Sequence, residues 1–143
     1  MKILNILLVS LALVACSTQS YQYYDGKRKP IDEVAFIVCD EKIGVKSVDG
    51  KGYPPGAAYF ALSFDRCIIE LDEGEHTIEY QATTGGGAVS LHTKYEKKTF
   101  DLKKGDIYKI YQKMCGAKWC VWVDKLEGSA YQQEKNYILS KRR

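Results

Sequence analysis

The chain has 143 residues and a formal net charge of +3 at pH 7, from 21 Lys and Arg residues against 18 Asp and Glu residues. This length suits one domain of ordinary size. Because the charges nearly balance, the composition argues against a nucleic-acid-binding protein, which usually concentrates basic residues on one face.

The N-terminal residues have the pattern of a bacterial lipoprotein signal. Lys2 precedes an apolar stretch, residues 3–14, that is interrupted only by Asn5 and Ser10. A bilayer span needs about 20 apolar residues, so this stretch has the length of a signal-peptide core rather than of a membrane span. It ends in Leu-Val-Ala-Cys at residues 13–16, which resembles a lipobox, where the cysteine sulfur is lipidated and the chain is cut just before it.

This resemblance implies that residues 1–15 are a cleaved signal peptide and that Cys16 becomes a lipidated N-terminus, with palmitate as a typical acyl group. Two acyl chains, at about 0.8 kcal/mol per buried methylene, give stable attachment to a membrane. A secretory signal cut after Ala15 and a buried N-terminal helix are the alternatives. Ser17 stands where an Asp commonly retains lipoproteins at the inner membrane. In a cell with two membranes we therefore expect attachment to the outer membrane, facing the periplasm.

The mature chain is predicted to have three parts. Residues 16–32 are polar, contain Gly26 and Pro30 and show no apolar periodicity, so they are predicted to form a flexible tether that spans roughly 20–25 Å on average. The folded domain is predicted to cover residues 33–127. The polar residues 128–143 are predicted to form a frayed C-terminal tail, because they do not resemble a long amphipathic helix.

Four cysteines remain after Cys16, an even number that favours two disulfides in an exported chain. Three pairings are open, and the short spacing favours Cys115–Cys120 as a clip across one hairpin, which leaves Cys39–Cys67 to join distant strands. A zinc site and a thioredoxin-like redox site are the alternatives. The chain has no C-x-x-C spacing, which argues against both.

The domain has the sequence pattern of short β-strands. Residues 34–39 form a β-branched and aromatic run, which is typical of a strand buried on both faces. A second strand runs into Asp49-Gly50, a strong hairpin-turn pair. Residues 57–64 are ambiguous between strand and helix, and their aromatic residues favour strand. The second strand covers residues 43–48, and further strands are predicted at 67–71, 76–82, 89–95, 100–102, 108–114 and 119–123. Turn signals every 8–12 residues indicate an all-β, antiparallel β-sandwich of about seven to nine strands.

Three segments carry a family resemblance. VDGK at residues 48–51, IELDEGEHTIEY at 69–80 and FDLKKGDIY at 100–108 are similar to small bacterial lipoproteins of uncharacterised function and to PEGA-type domains. The resemblance covers residues 34–124 and implies an immunoglobulin-like sandwich. It brings no set of catalytic residues, and this chain departs from the pattern by an insert at 52–66 and by its four domain cysteines.

Several residue types with catalytic or ligating chemistry occur without an organised pattern. His76 follows a turn glycine and is predicted to bond turn backbone groups, whereas His92 is predicted to be exposed. The acidic turn is predicted to be solvated, because it lacks the calcium-loop pattern; it contains Glu70, Asp72, Glu73 and Glu75. The three glycines at residues 85–87 lack the phosphate-loop motif. We therefore predict no catalytic residue, no metal site and no cofactor.

Aromatic residues are the remaining feature, with 11 tyrosines and two tryptophans. Tyr and Trp are enriched in recognition surfaces because each combines a large apolar face with a polar group. Tyr53, Tyr59 and Trp119 lie near the insert and the predicted disulfide hairpin, and they are the candidate contact residues.

These observations favour a non-enzymatic, lipid-anchored envelope protein that acts as a binding or structural module. The expected partners are the membrane, through Cys16, and an envelope protein or glycan, with no role in nucleic-acid binding. The alternative is a small disulfide-bonded inhibitor of an envelope-attacking enzyme such as lysozyme.

Overall fold

The computed structural model describes residues 19–53, 66–82 and 94–142. The strands in these ranges are β1 (Ser20–Gln22), β2 (Ala35–Cys39), β3 (Ile43–Val48), β4 (Lys51–Gly52), β5 (Ile68–Leu71), β6 (Gly74–Ala82), β7 (Glu96–Leu102), β8 (Ile107–Cys115) and β9 (Lys118–Lys125). A short 3₁₀ helix (Ile31–Glu33) precedes β2, and helix α1 (Gly128–Lys141) follows β9. The predicted signal peptide, Cys16, Tyr59, His92 and the predicted strand at 57–64 lie outside the described residues.

The strands form two sheets, so the prediction of an all-β, sandwich-like protein is confirmed. One sheet has the order β1-β5-β2-β8-β9 and the other has the order β4-β3-β6-β7. Most neighbouring strands are antiparallel, but β1 runs parallel to β5 and β2 runs parallel to β8. The sheets are therefore mostly antiparallel rather than wholly so.

A hydrophobic core fills the space between the two sheets. Alternate residues of β2 face it, as the two-residue period of a strand requires, and they meet side chains from the four-stranded sheet. This core includes Ala35, Ile37, Ile43, Val48, Ile69, Leu71, Ile78, Tyr80, Phe100, Leu102 and Ile110. The Asp49-Gly50 turn that closes β3 and β4 has positive φ at both residues, 50° and 75°, which is the hairpin geometry predicted from this pair.

Helix α1 covers the outer face of the five-stranded sheet and makes a third layer. Val34, Phe36 and Val38 point to this side and form a second buried cluster with Ile138 of the helix. All five residues of β2 are buried, so the prediction of a strand buried on both faces is confirmed.

The prediction of a frayed tail at 128–143 is wrong, because residues 128–141 form α1. Only one aliphatic side chain of the helix, Ile138, is fully buried, and Tyr131 and Tyr137 are partly buried against the same cluster. The other buried side chain of the helix is Glu134. Arg66 Nη2 donates to both Glu134 carboxylate oxygens at 2.6 Å, and Lys109 Nζ lies 3.4 Å from Glu134 Oε2. An ion pair thus replaces part of the usual apolar contact.

The prediction of a flexible tether over residues 16–32 is also wrong for its described part. Ser20–Gln22 is strand β1, and the Tyr23 amide continues the pairing by donating to the Glu70 carbonyl at 2.9 Å. Such a short edge strand with polar side chains carries no alternation that a sequence pattern could reveal.

Two disulfides join the described cysteines in the pairing that the spacing favoured. Cys39 and Cys67 lie 4.8 Å apart between Cα atoms and link the end of β2 to the start of β5. Cys115 and Cys120 lie 5.8 Å apart and close the β8–β9 hairpin. No helix within the described ranges is both long and apolar enough to cross a membrane.

Candidate functional site

A buried carboxylate, Glu70, fastens the N-terminal segment to the domain. Its side chain is fully buried on β5. Glu70 Oε1 accepts hydrogen bonds from Ser20 Oγ at 2.7 Å and from Arg142 Nε at 3.0 Å. Glu70 Oε2 accepts hydrogen bonds from Tyr24 OH at 3.1 Å and from Arg142 Nη2 at 2.9 Å. Residues near both ends of the described chain therefore meet on one side chain.

A second arginine, Arg28, lies beside the same carboxylate. Arg28 Nε lies 3.4 Å from Glu70 Oε1, and Arg28 Nη2 donates to the Ser20 carbonyl at 3.1 Å. We call Ser20, Tyr24, Arg28, Glu70 and Arg142 the Glu70 clamp. Burial, followed by the negative charge of Glu70, raises the pKa of Tyr24, so its phenol remains a neutral donor. A buried charge with donors on both oxygens stabilises one arrangement of the chain.

The prediction of a solvated acidic turn is therefore wrong for Glu70 and correct for its exposed neighbours, Glu73 and Glu75. Asp72 forms an ion pair with Lys29 of the N-terminal segment. Glu70 occupies a position in the otherwise apolar Ile-Ile-Glu-Leu strand, where a lone charge is a signal of a buried ion pair. Within the described ranges, no group of three or more His, Cys, Asp or Glu side chains is placed to hold a metal ion.

His76 has the appearance of a catalytic dyad but lacks a free nitrogen. Its Nδ1 lies 2.7 Å from Asp49 Oδ2, and its Nε2 lies 3.1 Å from the Asp72 carbonyl oxygen. Asp49 Oδ1 also accepts a hydrogen bond from the Thr77 amide at 2.8 Å. A general base must reach a substrate proton, whereas both ring nitrogens here hold turn groups. The predicted role of His76 in bonding turn backbone is confirmed, and Asp49 is an additional partner.

Tyr53 and Trp119, the two candidate contact residues within the described ranges, do not form one surface. Tyr53 packs against Tyr21 and Tyr23, with ring centroids 5.2 Å and 6.3 Å away, and Tyr23 OH donates to the Gly52 carbonyl at 2.8 Å. Burial raises the pKa of Tyr53 above its ordinary value. Tyr53 thus joins β1 to β4. Trp119 belongs to β9, at the other edge of the five-stranded sheet, and packs against the core between the sheets.

The four-stranded sheet carries a shallow polar cleft of about 350 Å³ on its outer face. Lys46 Nζ donates to Glu79 Oε1 at 3.0 Å, and Ser47 Oγ donates to Glu79 Oε2 at 3.1 Å. The Lys46 hydrogen bond holds the pKa of Glu79 below its usual value. The residues that line the cleft are Lys46, Ser47, Gly50, Gly52, Thr77, Glu79 and Lys97. Its carboxylate is already paired, so the cleft offers no activated nucleophile or base.

The β8–β9 hairpin carries a cluster of partly exposed aromatic side chains and lysines. Tyr111 and Trp122 are directly opposite each other across the two strands and stack with centroids 5.3 Å apart and planes 13° apart. Lys109 lies over the Tyr111 ring at 5.1 Å, and Lys113 lies over the Trp122 ring at 5.5 Å. At the end of the hairpin, all six residues 113–118 are exposed. Sequence reasoning had singled out Trp119 here but not the Tyr111–Trp122 pair, which the register reveals.

The chain has no match among protein-family models, curated proteins or solved structures. Its function is therefore inferred from its own residues and geometry.

Proposed function

We propose that this chain is a lipid-anchored protein of the cell envelope that acts as a non-catalytic binding or structural module close to the membrane. One observation carries the proposal: strand β1 begins at Ser20, only four positions after Cys16 of the lipobox-like segment. An extended chain covers at most about 3.6 Å per residue, so a lipid on Cys16 stays within about 14 Å of Ser20. The domain is then held close to the membrane surface and is not separated from it by a long flexible tether.

The Glu70 clamp supports this proposal because it fixes the start of the domain. Pulling on a lipidated N-terminus would load β1 first, and β1 is a three-residue edge strand. The buried ion pair between Glu70 and Arg142 and the hydrogen bond from Ser20 to Glu70 hold it in place. A short connection combined with a fixed strand keeps the start of the domain close to the membrane.

The non-catalytic part of the proposal is supported by the hydrogen bonds that engage two of the candidate side chains, His76 and Glu70. His76 is held by Asp49 and Asp72, and Glu70 by Arg142. The proposal includes a relationship to immunoglobulin-like, PEGA-type domains. Its support is the sequence resemblance, which lies in turn glycines and strand alternation.

Metabolic labelling tests the anchor. The full chain is expressed in a bacterial host that is fed an alkyne analogue of palmitate, and membranes are separated from soluble protein. We expect the wild-type chain to carry label in the membrane fraction and Cys16→Ser to carry none. The double variant Cys115→Ser/Cys120→Ser is the control, because it removes two thiols and should retain the label. Label on Cys16→Ser, or an unlabelled soluble wild-type chain, would contradict the anchor.

The inhibitor alternative is favoured by the exposed, disulfide-closed hairpin, since a cross-linked loop is preorganised to enter an enzyme cleft. Activity assays with a panel of lysozymes test it. Tight inhibition that is lost on Lys113→Glu/Lys118→Glu would support this alternative and overturn the purely structural interpretation of the domain.

A further inference from the structure

Ser20 of β1 and Lys109 of β8 belong to one row of paired residues across the five-stranded sheet. The N-terminal side of Ser20 and the C-terminal side of Lys109 face the same end of this sheet. Ser20 pairs with Ile68, Ile68 pairs with Val38, and Val38 pairs with Lys109. Because β1 is parallel to β5, β5 antiparallel to β2 and β2 parallel to β8, strand β8 runs opposite to β1. The chain therefore enters β1 at Ser20 from the same end of the sheet toward which β8 continues after Lys109.

The lengths on this end favour contact between the hairpin and the membrane. From Lys109 to Cys115, β8 advances six residues, which is roughly 20 Å at the rise of an antiparallel strand. The chain from Ser20 back to Cys16 covers at most about 14 Å. An acylated Cys16 thus brings the membrane surface within reach of the hairpin end, which projects at least as far.

The exposed end of the hairpin has the composition of a membrane-interface contact. Lys113 and Lys118 flank an apolar Met-Cys-Gly-Ala segment, and Met114 is 54% exposed. The sequence from 107 to 123 contains no Asp or Glu. Lysines near a membrane surface are attracted to anionic headgroups, and their aliphatic stems lie along apolar surface.

Aromatic residues lie on both strands of the hairpin next to this exposed end. Trp119 pairs with Met114 and Trp122 pairs with Tyr111 in the strand register. Tryptophan and tyrosine are favoured at the headgroup level, where their rings meet both apolar and polar surroundings. A sugar-stacking platform fits less well, because Tyr111 and Trp122 stack on each other and Lys109 and Lys113 lie over their rings.

We propose that residues 113–120, the β8–β9 hairpin tip, rest among the headgroups of an anionic membrane as a second contact beside the lipid on Cys16. This inference rests on the proposed function, because the lipid supplies the proximity and the tip supplies the orientation. The contact is electrostatic at its lysines and apolar at Met114, so it weakens as salt screens the lysine charges.

The chain reports on this contact through its own fluorescence, because its two tryptophans, Trp119 and Trp122, both belong to β9 of this hairpin. The lipidated protein is extracted from membranes and reconstituted into vesicles of phosphatidylcholine alone or of phosphatidylcholine with phosphatidylglycerol. Lipid brominated near the headgroup end of its acyl chains then quenches tryptophans that lie close to the headgroup region. We expect stronger quenching and a blue-shifted emission in the anionic vesicles, both reduced by added salt.

Two charge-reversal variants separate the hairpin tip from general charge. Lys113→Glu/Lys118→Glu should bring quenching in anionic vesicles down to the level in neutral vesicles. Lys103→Glu/Lys104→Glu makes the same change of charge near the start of β8, at the opposite end of the molecule, and should leave the quenching as in wild type. Unchanged near-ultraviolet circular dichroism establishes that both variants keep the fold.

Flotation of the vesicles distinguishes the two proposals. Protein that floats with both vesicle types but shows no lipid-dependent quenching overturns the hairpin contact and leaves the anchor standing. Equal quenching in neutral and anionic vesicles, or unchanged quenching in Lys113→Glu/Lys118→Glu, also overturns the anionic contact. Protein that floats with neither vesicle type overturns the anchor and this inference together.

Discussion

Glu70 lies in the middle of an apolar strand, and its carboxylate accepts hydrogen bonds from Ser20, Tyr24 and Arg142. Removing a carboxylate from water costs several kcal/mol unless charged and polar partners replace the water. Here the partners come from β1, from the segment after it and from the end of α1. A single side chain therefore couples the docking of the N-terminal segment to the docking of the C-terminal helix.

Substituting Arg142 tests this coupling. Arg142→Met places an unbranched apolar chain beside the Phe36 ring, over which the Arg142 guanidinium lies at 5.4 Å, and removes the charge that faces Glu70. We expect the free energy of unfolding in urea to fall by about 3 kcal/mol, because a buried carboxylate loses its main partner. Lys103→Met is the control: its ion pair with Asp101 is exposed on both sides, so its effect should stay within about 0.5 kcal/mol. Equal effects of the two substitutions would contradict the clamp.

At the residue scale, sequence reasoning succeeded where the partner is local and failed where it is distant. The role of His76 in the turn followed from the preceding glycine, since Asp72 lies only four residues away. Glu70 appeared to belong to an acidic turn, because its cation, Arg142, lies 72 residues further along the chain. No spacing rule relates two residues that meet only after both sheets and the helix have formed.

Helix α1 docks through a small set of apolar contacts: Ile138 is fully buried, and Tyr131 and Tyr137 are partly buried against the same cluster. Ile138→Ala should lower the free energy of unfolding by about 2–4 kcal/mol through lost burial and a residual cavity. The adjacent Leu139 is 48% exposed, so Leu139→Ala should cost less than about 1 kcal/mol. Urea denaturation followed by far-ultraviolet circular dichroism measures both variants. A Leu139 effect as large as the Ile138 effect would show that the helix docks through a different face.

The two disulfides should differ in their contribution to stability. Cys39–Cys67 closes a separation of 28 residues and Cys115–Cys120 closes one of 5. Chain-entropy arguments give about 3.6 kcal/mol for the longer loop and about 2 kcal/mol for the shorter one. Cys39 and Cys67 are also buried. Thermal unfolding of the paired alanine variants should therefore show the larger decrease for Cys39→Ala/Cys67→Ala. The reverse order would contradict the assignment of this disulfide as the main covalent support of the core.

A strand or helix can be predicted from the sequence when its apolar residues or its turn residues follow a recognisable pattern. Strand β2 was predictable because both of its faces are apolar, and the β3–β4 hairpin was predictable because Asp49-Gly50 suits its turn. Strand β1 and helix α1 were missed, since one is three residues long and the other buries a paired Glu134 in place of an apolar residue. Tertiary contacts, rather than local preference, determine these two elements.

The described residues form a two-sheet domain with a covering helix, and strand β1 is paired into the larger sheet. Only four positions separate Cys16 from Ser20, the first residue of β1, whereas the predicted tether covered residues 16–32. If Cys16 is acylated, the domain has a membrane-facing end that contains both the anchor and the β8–β9 hairpin. Anchor length, strand direction and surface charge then all favour the same orientation.

The most direct test of this account is the mass of the N-terminal peptide of the protein extracted from bacterial membranes. We expect a peptide that begins at Cys16 and carries the added mass of a diacylglyceryl group, with Ser20 and the rest of the domain intact. A mature chain that begins at any other residue, or an unmodified Cys16, would contradict it.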